Sequence, residues 1–167
     1  SFNMLMVLRD ISYNEIFDIR RAMEFEALTL AVQNITPEEL ERLHDVLQRM
    51  DEPMSLKSNA KLDVEFHRIL IHASHNTLMI YLTQLMSDLL DIFIKNLRTS
   101  ILADRRRSKA LRAAHWDIYN GLLTHDAPRA YEAMEQHFEI VKEHVIKFEQ
   151  KHPDFSDQEP DCPDYII

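Results

Sequence analysis

Apolar residues recur along this chain at intervals of three and four, the spacing that lines one face of an α-helix, and turn-forming residues fall between the periodic runs. A first helix is expected over about Tyr13–Gln33, with Ile16, Ile19, Met23 and Leu30 along one side. Thr36-Pro37-Glu38-Glu39 has the form of a helix start, with Thr36 as N-cap, proline at the first helical position and glutamate at the third. The helix it opens runs to about Asp51, and Pro53 closes it. A third covers about Asn59–Ala73, and Asn76 caps a fourth, Thr77–Ile101. Asp104 caps a fifth that ends near Gly121–His125, and Asp126 with Pro128 opens a sixth that runs to about Gln150. This pattern predicts an all-α fold, an antiparallel bundle of about six helices joined by short loops. Residues 1–12 read as a linker and 13–151 as the bundle. Residues 152–167 read as a disordered acidic tail, because Pro153, Pro160 and Pro163 stand among five acidic residues.

Composition narrows the function. With 167 residues, 46% of them apolar, the chain can bury a sizeable core. It holds a single glycine, Gly121, which excludes the glycine-rich loops that cradle nucleotides. A single cysteine, Cys162, closes no intrachain disulfide and fits a reducing, cytoplasmic setting. The net charge of −9 opposes nucleic-acid binding by these residues themselves. The one basic run, Arg105-Arg106-Arg107 with Lys109 and Arg112, reads as a solvated helix face. Met79–Ile94 is the most apolar stretch, but Gln84, Asp88 and Asp91 within it mark a buried helix and not a membrane span. No membrane partner and no secretory signal are expected.

Nine histidines raise the question of a metal, and position separates them. Asp63 and His67 lie four apart and share a helix face with Leu70. His115 falls in the stripe Leu111–His115–Ile118–Leu122, and His137 in Ala130–Met134–His137–Val141. Three histidines and an aspartate thus project from the apolar stripes of three helices, the arrangement that builds an internal metal and ligand pocket in a bundle. Such a donor set suits Zn²⁺ or Ni²⁺, with Mn²⁺ and Fe²⁺ as alternatives. The competing reading is three hydrogen-bonded core histidines. His144 nears its helix end, His72 and His75 close the third helix, and His44, His125 and His152 read as exposed. Neither His-Glu-x-x-His nor a paired Glu-x-x-His is present, so zinc-protease and di-iron signatures are missing.

Several segments carry a family resemblance. Asp18-Ile19-Arg20-Arg21-Ala22-Met23-Glu24, then Thr36-Pro37-Glu38-Glu39-Leu40, then Asp63-Val64-Glu65-Phe66-His67 with Ala73-Ser74-His75-Asn76, and finally His115, Asp126 and His137 are similar to the FadR-type C-terminal (FCD) effector domain of GntR-family bacterial transcription regulators. The similarity spans about Glu15–Val145. It implies metal ligation by Asp63, His67, His115 and His137. It also implies a small carboxylate effector assisted by Arg20, with Glu24 one turn away as that arginine's alternative partner; Asn76 reads first as an N-cap, with an effector contact as its alternative. Such regulators are homodimers that read DNA through an N-terminal winged helix-turn-helix domain, and that domain is missing from this chain. The expected function is therefore effector sensing and dimerisation, not catalysis. The alternatives are a metal-dependent hydrolase or lyase using the Asp/His site, and a helical adaptor without metal. Glu65, two residues from Asp63, should point away, which leaves no evident general base.

Overall fold

The computed structural model describes residues 11–87, 93, 95, 97, 98, 101 and 104–151. The expected tail, Cys162 and all but the end of the expected linker lie outside them. Among the described residues six helices are bounded: α1 Tyr13–Asn34, α2 Pro37–Asp51, α3 Leu56–Ala73, α4 Thr77–Leu85, α5 Arg105–Leu123 and α6 Ala127–Lys151. The architecture is an all-α bundle. Thr36 and Glu39 form the expected capping box at the start of α2. The same device at Ser12 and Glu15 starts α1, where sequence reading did not single it out. Asn76 and Asp104 cap α4 and α5 through their side-chain oxygens.

Two expectations need correction. The expected apolar stripe on α1 is not its inward face, since Ile19 is 50% exposed and Met23 and Leu30 are only half-buried. The buried line runs instead through Ile16, Arg20, Glu24, Ala27, Leu28 and Ala31. Two charged residues interrupt that line, so counting apolar positions selects the wrong side. The expected fourth helix is also not continuous. Met86 leaves the helical region, with φ −91° and ψ 2°, a backbone setting that turns the chain off the α-helical path. Helical residues resume at Ser87 and recur at Phe93, Lys95, Leu97, Arg98 and Ile101.

The helices close on one core. α3 packs against both α1 and α2, α2 also meets α5, α5 lies along α6, and α6 returns to α1. Phe66, Leu70, Ile118, Leu122, Met134 and Phe138 are fully enclosed between them. Gly121 sits where α5 and α6 come closest. A Cβ there would stand 2.7 Å from the backbone nitrogen and 2.7 Å from the Cβ of Ala130. This glycine therefore serves close helix packing, since its φ is not positive. His75 and His125 take the left-handed conformation at helix ends, with φ 53° and 52°, a place usually given to glycine or asparagine. Among the described residues no helix is long and apolar enough to cross a membrane.

Candidate metal centre

α3 carries Asp63 and His67 on consecutive turns of its inward face, α5 brings in His115 and α6 brings in His137; all four are at least 97% buried. One donor atom from each lies within 4.8 Å of every other. The ring centroids are 4.9 Å apart for His67 and His137, 4.8 Å for His115 and His137, and 5.6 Å for His67 and His115. His115 Nε2 is 3.3 Å from Asp63 Oδ1, and His67 Nε2 is 3.7 Å from Asp63 Oδ2. The tertiary structure thus brings together the four residues that separate stripes singled out.

Their environment suits a cation. Among the described residues, His67 Nε2, Asp63 Oδ1, His115 Nε2 and both ring nitrogens of His137 are buried without a hydrogen-bond partner, while the other side of the His115 ring is held by the Leu111 backbone of its own helix. Leaving such atoms unsatisfied costs about 1–3 kcal/mol each, so ordinary hydrogen-bonded core histidines do not describe them. Burial holds the His115 and His137 imidazoles well below their usual value, helped by the nearby cationic side chains. They are neutral and ready to donate a lone pair. Burial pushes the Asp63 carboxyl up, but Arg98, His67 and Arg20 outweigh it and keep the group ionised below its usual range. Three imidazoles, two of them held neutral by burial, and one carboxylate are a fitting donor set for a borderline divalent ion.

Sequence reasoning missed two residues of this centre. Glu24, on the misjudged face of α1, sets Oε2 2.5 Å from His67 Nδ1. That contact leaves His67 Nε2 for the cluster, the arrangement by which an outer carboxylate orients a metal-binding imidazole. Although burial pushes the Glu24 carboxyl up, Arg20 and His67 hold it below its usual value. Arg98 is buried with Nη1 3.5 Å from Asp63 Oδ1. Burial lowers its guanidinium, a change that Asp63 opposes. The only available signal was the Arg20–Glu24 spacing, which on an exposed face would be an ordinary surface pair. Here Arg20 Nε donates to Glu24 Oε1 at 2.6 Å, with both side chains buried.

The remaining candidates lie elsewhere. Asn76 is exposed, and its Oδ1 accepts the Met79 N–H as the cap of α4. Glu65 turns outward toward Arg49, as its spacing from Asp63 predicts. His44 is not exposed; it is half-buried against Trp116 and Tyr119, because α2 packs on α5 there. His144 is buried and Nδ1 donates to the Ile140 carbonyl of its own helix. Within the basic run, Arg107 pairs with Glu143 and Asp104, and Arg112 with Asp51.

Known proteins resemble this chain along most of its length. The HTH-type transcriptional regulator LutR of Bacillus subtilis is 28% identical over 145 residues, covering 84% of this chain and 64% of LutR. The uncharacterized HTH-type transcriptional regulator YcbG of the same organism is 24% identical, covering 87% of this chain and 60% of YcbG. The Glc operon transcriptional activator of Escherichia coli K12 is 25% identical, covering 83% of this chain and 58% of the activator. The chain thus spans about three fifths of the length of these relatives. The family model of the FCD domain matches residues 15–140, a stretch that contains every residue of the centre, and the chain belongs to the FCD domain family.

Proposed function

We propose that these residues form the effector-sensing domain of a GntR-type transcription regulator, holding one divalent ion, Zn²⁺ or Ni²⁺, through Asp63, His67, His115 and His137. The observation that carries the reading is the convergence of unpaired imidazole nitrogens and an ionised aspartate in a sealed core. A bound ion supplies a positive, Lewis-acidic anchor for a small carboxylate effector. Arg20 adds a cation on α1, with Nη2 buried and unpartnered among the described residues, and Glu24 fixes both Arg20 and His67. Because the site draws on α1, α3, α5 and α6, an effector there bears on how four helices pack. That is a route by which it biases a DNA-reading domain, which we assign to the part of the regulator that the relatives carry beyond the matched region. Asn76 contributes to the effector only if its cap on α4 opens. An enzymatic role is less well supported, since Asp63 and Glu24 are each engaged by cations and Glu65 faces away.

The regulator acts as a homodimer in this reading, and α4 is the surface we assign to a second copy. Leu78, Tyr81 and Leu85 are 67%, 64% and 67% exposed, and Leu82 lies beside them at helical spacing. α4 carries no charged residue in a chain that is 28% charged, so two copies can meet about a two-fold axis without like-charge contact.

The test is a thermal-shift panel of lactate, malate, succinate, citrate and gluconate on the metal-loaded chain and after chelation. Stabilisation by at least one acid that disappears on chelation is expected. Equal stabilisation of the metal-free chain, or stabilisation by neutral compounds alone, would overturn the effector reading.

A further inference from the structure

Arg98 is a buried cation beside Asp63, yet it is not one of the four donors. Its Nη2 donates to Asn59 Oδ1 at 3.0 Å, and Asn59 Nδ2 donates to the Met50 carbonyl at 3.1 Å. The amide is therefore oriented by the backbone, and it holds one edge of the guanidinium in place. Nη1 of Arg98 faces Asp63 Oδ1 at 3.5 Å, whereas its Nε remains buried without a hydrogen-bond partner among the described residues, as does Nη2 of Arg20. Two guanidinium groups, from separate helical segments, thus keep unsatisfied donors around the cluster.

Charge points the same way. Arg20 and Arg98 balance Glu24 and Asp63, so the side chains of the centre carry no net charge when the imidazoles are neutral. A divalent ion then leaves two positive charges uncompensated in the core. A buried, unpaired charge is costly, and a monocarboxylate would neutralise only one of them. A dianion neutralises both, and its second carboxylate offers the acceptors that the arginine donors lack. We propose that this site selects a small dicarboxylate, with one carboxylate directed at the metal and the other held by the unsatisfied donors of Arg98 and Arg20. The inference rests on the effector-sensing reading above and adds the charge class of the effector and a specificity role for Arg98.

The experiment titrates the Ni²⁺- or Zn²⁺-loaded chain with malonate, succinate and glutarate, each against its own monoamide, which keeps the size and removes one charge. At least one diacid is expected to bind about tenfold or more tightly than its monoamide, the scale of one charged hydrogen bond. In Arg98→Gln, compared with the wild type at equal metal loading, that preference should shrink toward parity. Arg98→Lys, which keeps the charge and loses the fork, should fall between. Equal affinity for every diacid and its monoamide in the wild type overturns the proposal even if Arg98→Gln does not fold, and so does an unchanged preference in a folded Arg98→Gln. Normal metal uptake with all six compounds inert overturns the dicarboxylate assignment alone. A wild-type chain that takes up no divalent ion overturns the effector-sensing reading beneath it.

Discussion

Glu24 on α1 and His67 on α3 touch in the core, with Oε2 2.5 Å from Nδ1. The contact makes the first helix part of a candidate centre whose four proposed donors all lie on other helices. It also selects the imidazole tautomer, with the proton on the Nδ1 side and Nε2 left toward Asp63. Glu24→Gln should therefore weaken divalent-ion affinity by about 10–100-fold, the usual effect of losing an outer carboxylate. Competition against a chromophoric chelator measures it. Unchanged affinity would mean that the carboxylate only balances Arg20.

The metal-free chain should lose stability as the pH falls. His115 and His137 titrate well below 6.5 when folded and near that value when unfolded, so between those points the unfolded chain binds more protons. Their contribution is complete above about pH 6.5 and is lost on acidification toward the folded values. Asp63 and Glu24 add a second loss, in the carboxylate range below about pH 4. Thermal denaturation of the chelated chain from about pH 8 to about pH 5 reads the first loss. His137→Ala should flatten that slope and reduce bound metal from about one ion per chain. A melting temperature that rises on acidification would contradict the buried, neutral state of these rings.

Gly121→Ala should destabilise the fold by about 1–3 kcal/mol, although alanine is the better helix former. The added methyl would meet the backbone of Ala130 at 2.7 and 2.8 Å, and backbone cannot swing aside as a side-chain tip can. Urea denaturation gives the value. A variant as stable as the wild type would show that α5 and α6 can separate at little cost.

Leu82→Glu, on the uncharged face of α4, should convert the proposed dimer to monomer while leaving bound metal unchanged. A carboxylate near the two-fold axis meets its own copy, and like charges there are costly. Sedimentation velocity at tens of micromolar, with elemental analysis alongside, separates the two effects. A variant that stays dimeric places the contact on another surface.

Helical periodicity was enough to show an all-α chain, because each helix start carries its own local device and needs no distant partner. It also located Asp63, His67, His115 and His137, since each lies on a stripe whose apolar neighbours already declare the inward face. The same reasoning fails on α1, where the inward line carries Arg20 and Glu24 and the apolar residue Ile19 points outward. These two charges are buried against partners from other helices, Glu24 against His67 of α3 and Arg20 over the Phe138 ring of α6 at 5.6 Å, and no local pattern records those partners. Arg98 was invisible for the same reason, as its meaning depends on Asp63 and Asn59, which are distant in sequence. The break at Met86 and the exposure of α4 were likewise decided by packing, since an apolar helix looks the same in sequence whether a neighbour covers it or not. The residue types of the centre are thus a property of the sequence, and their charge balance is a property of the assembled core.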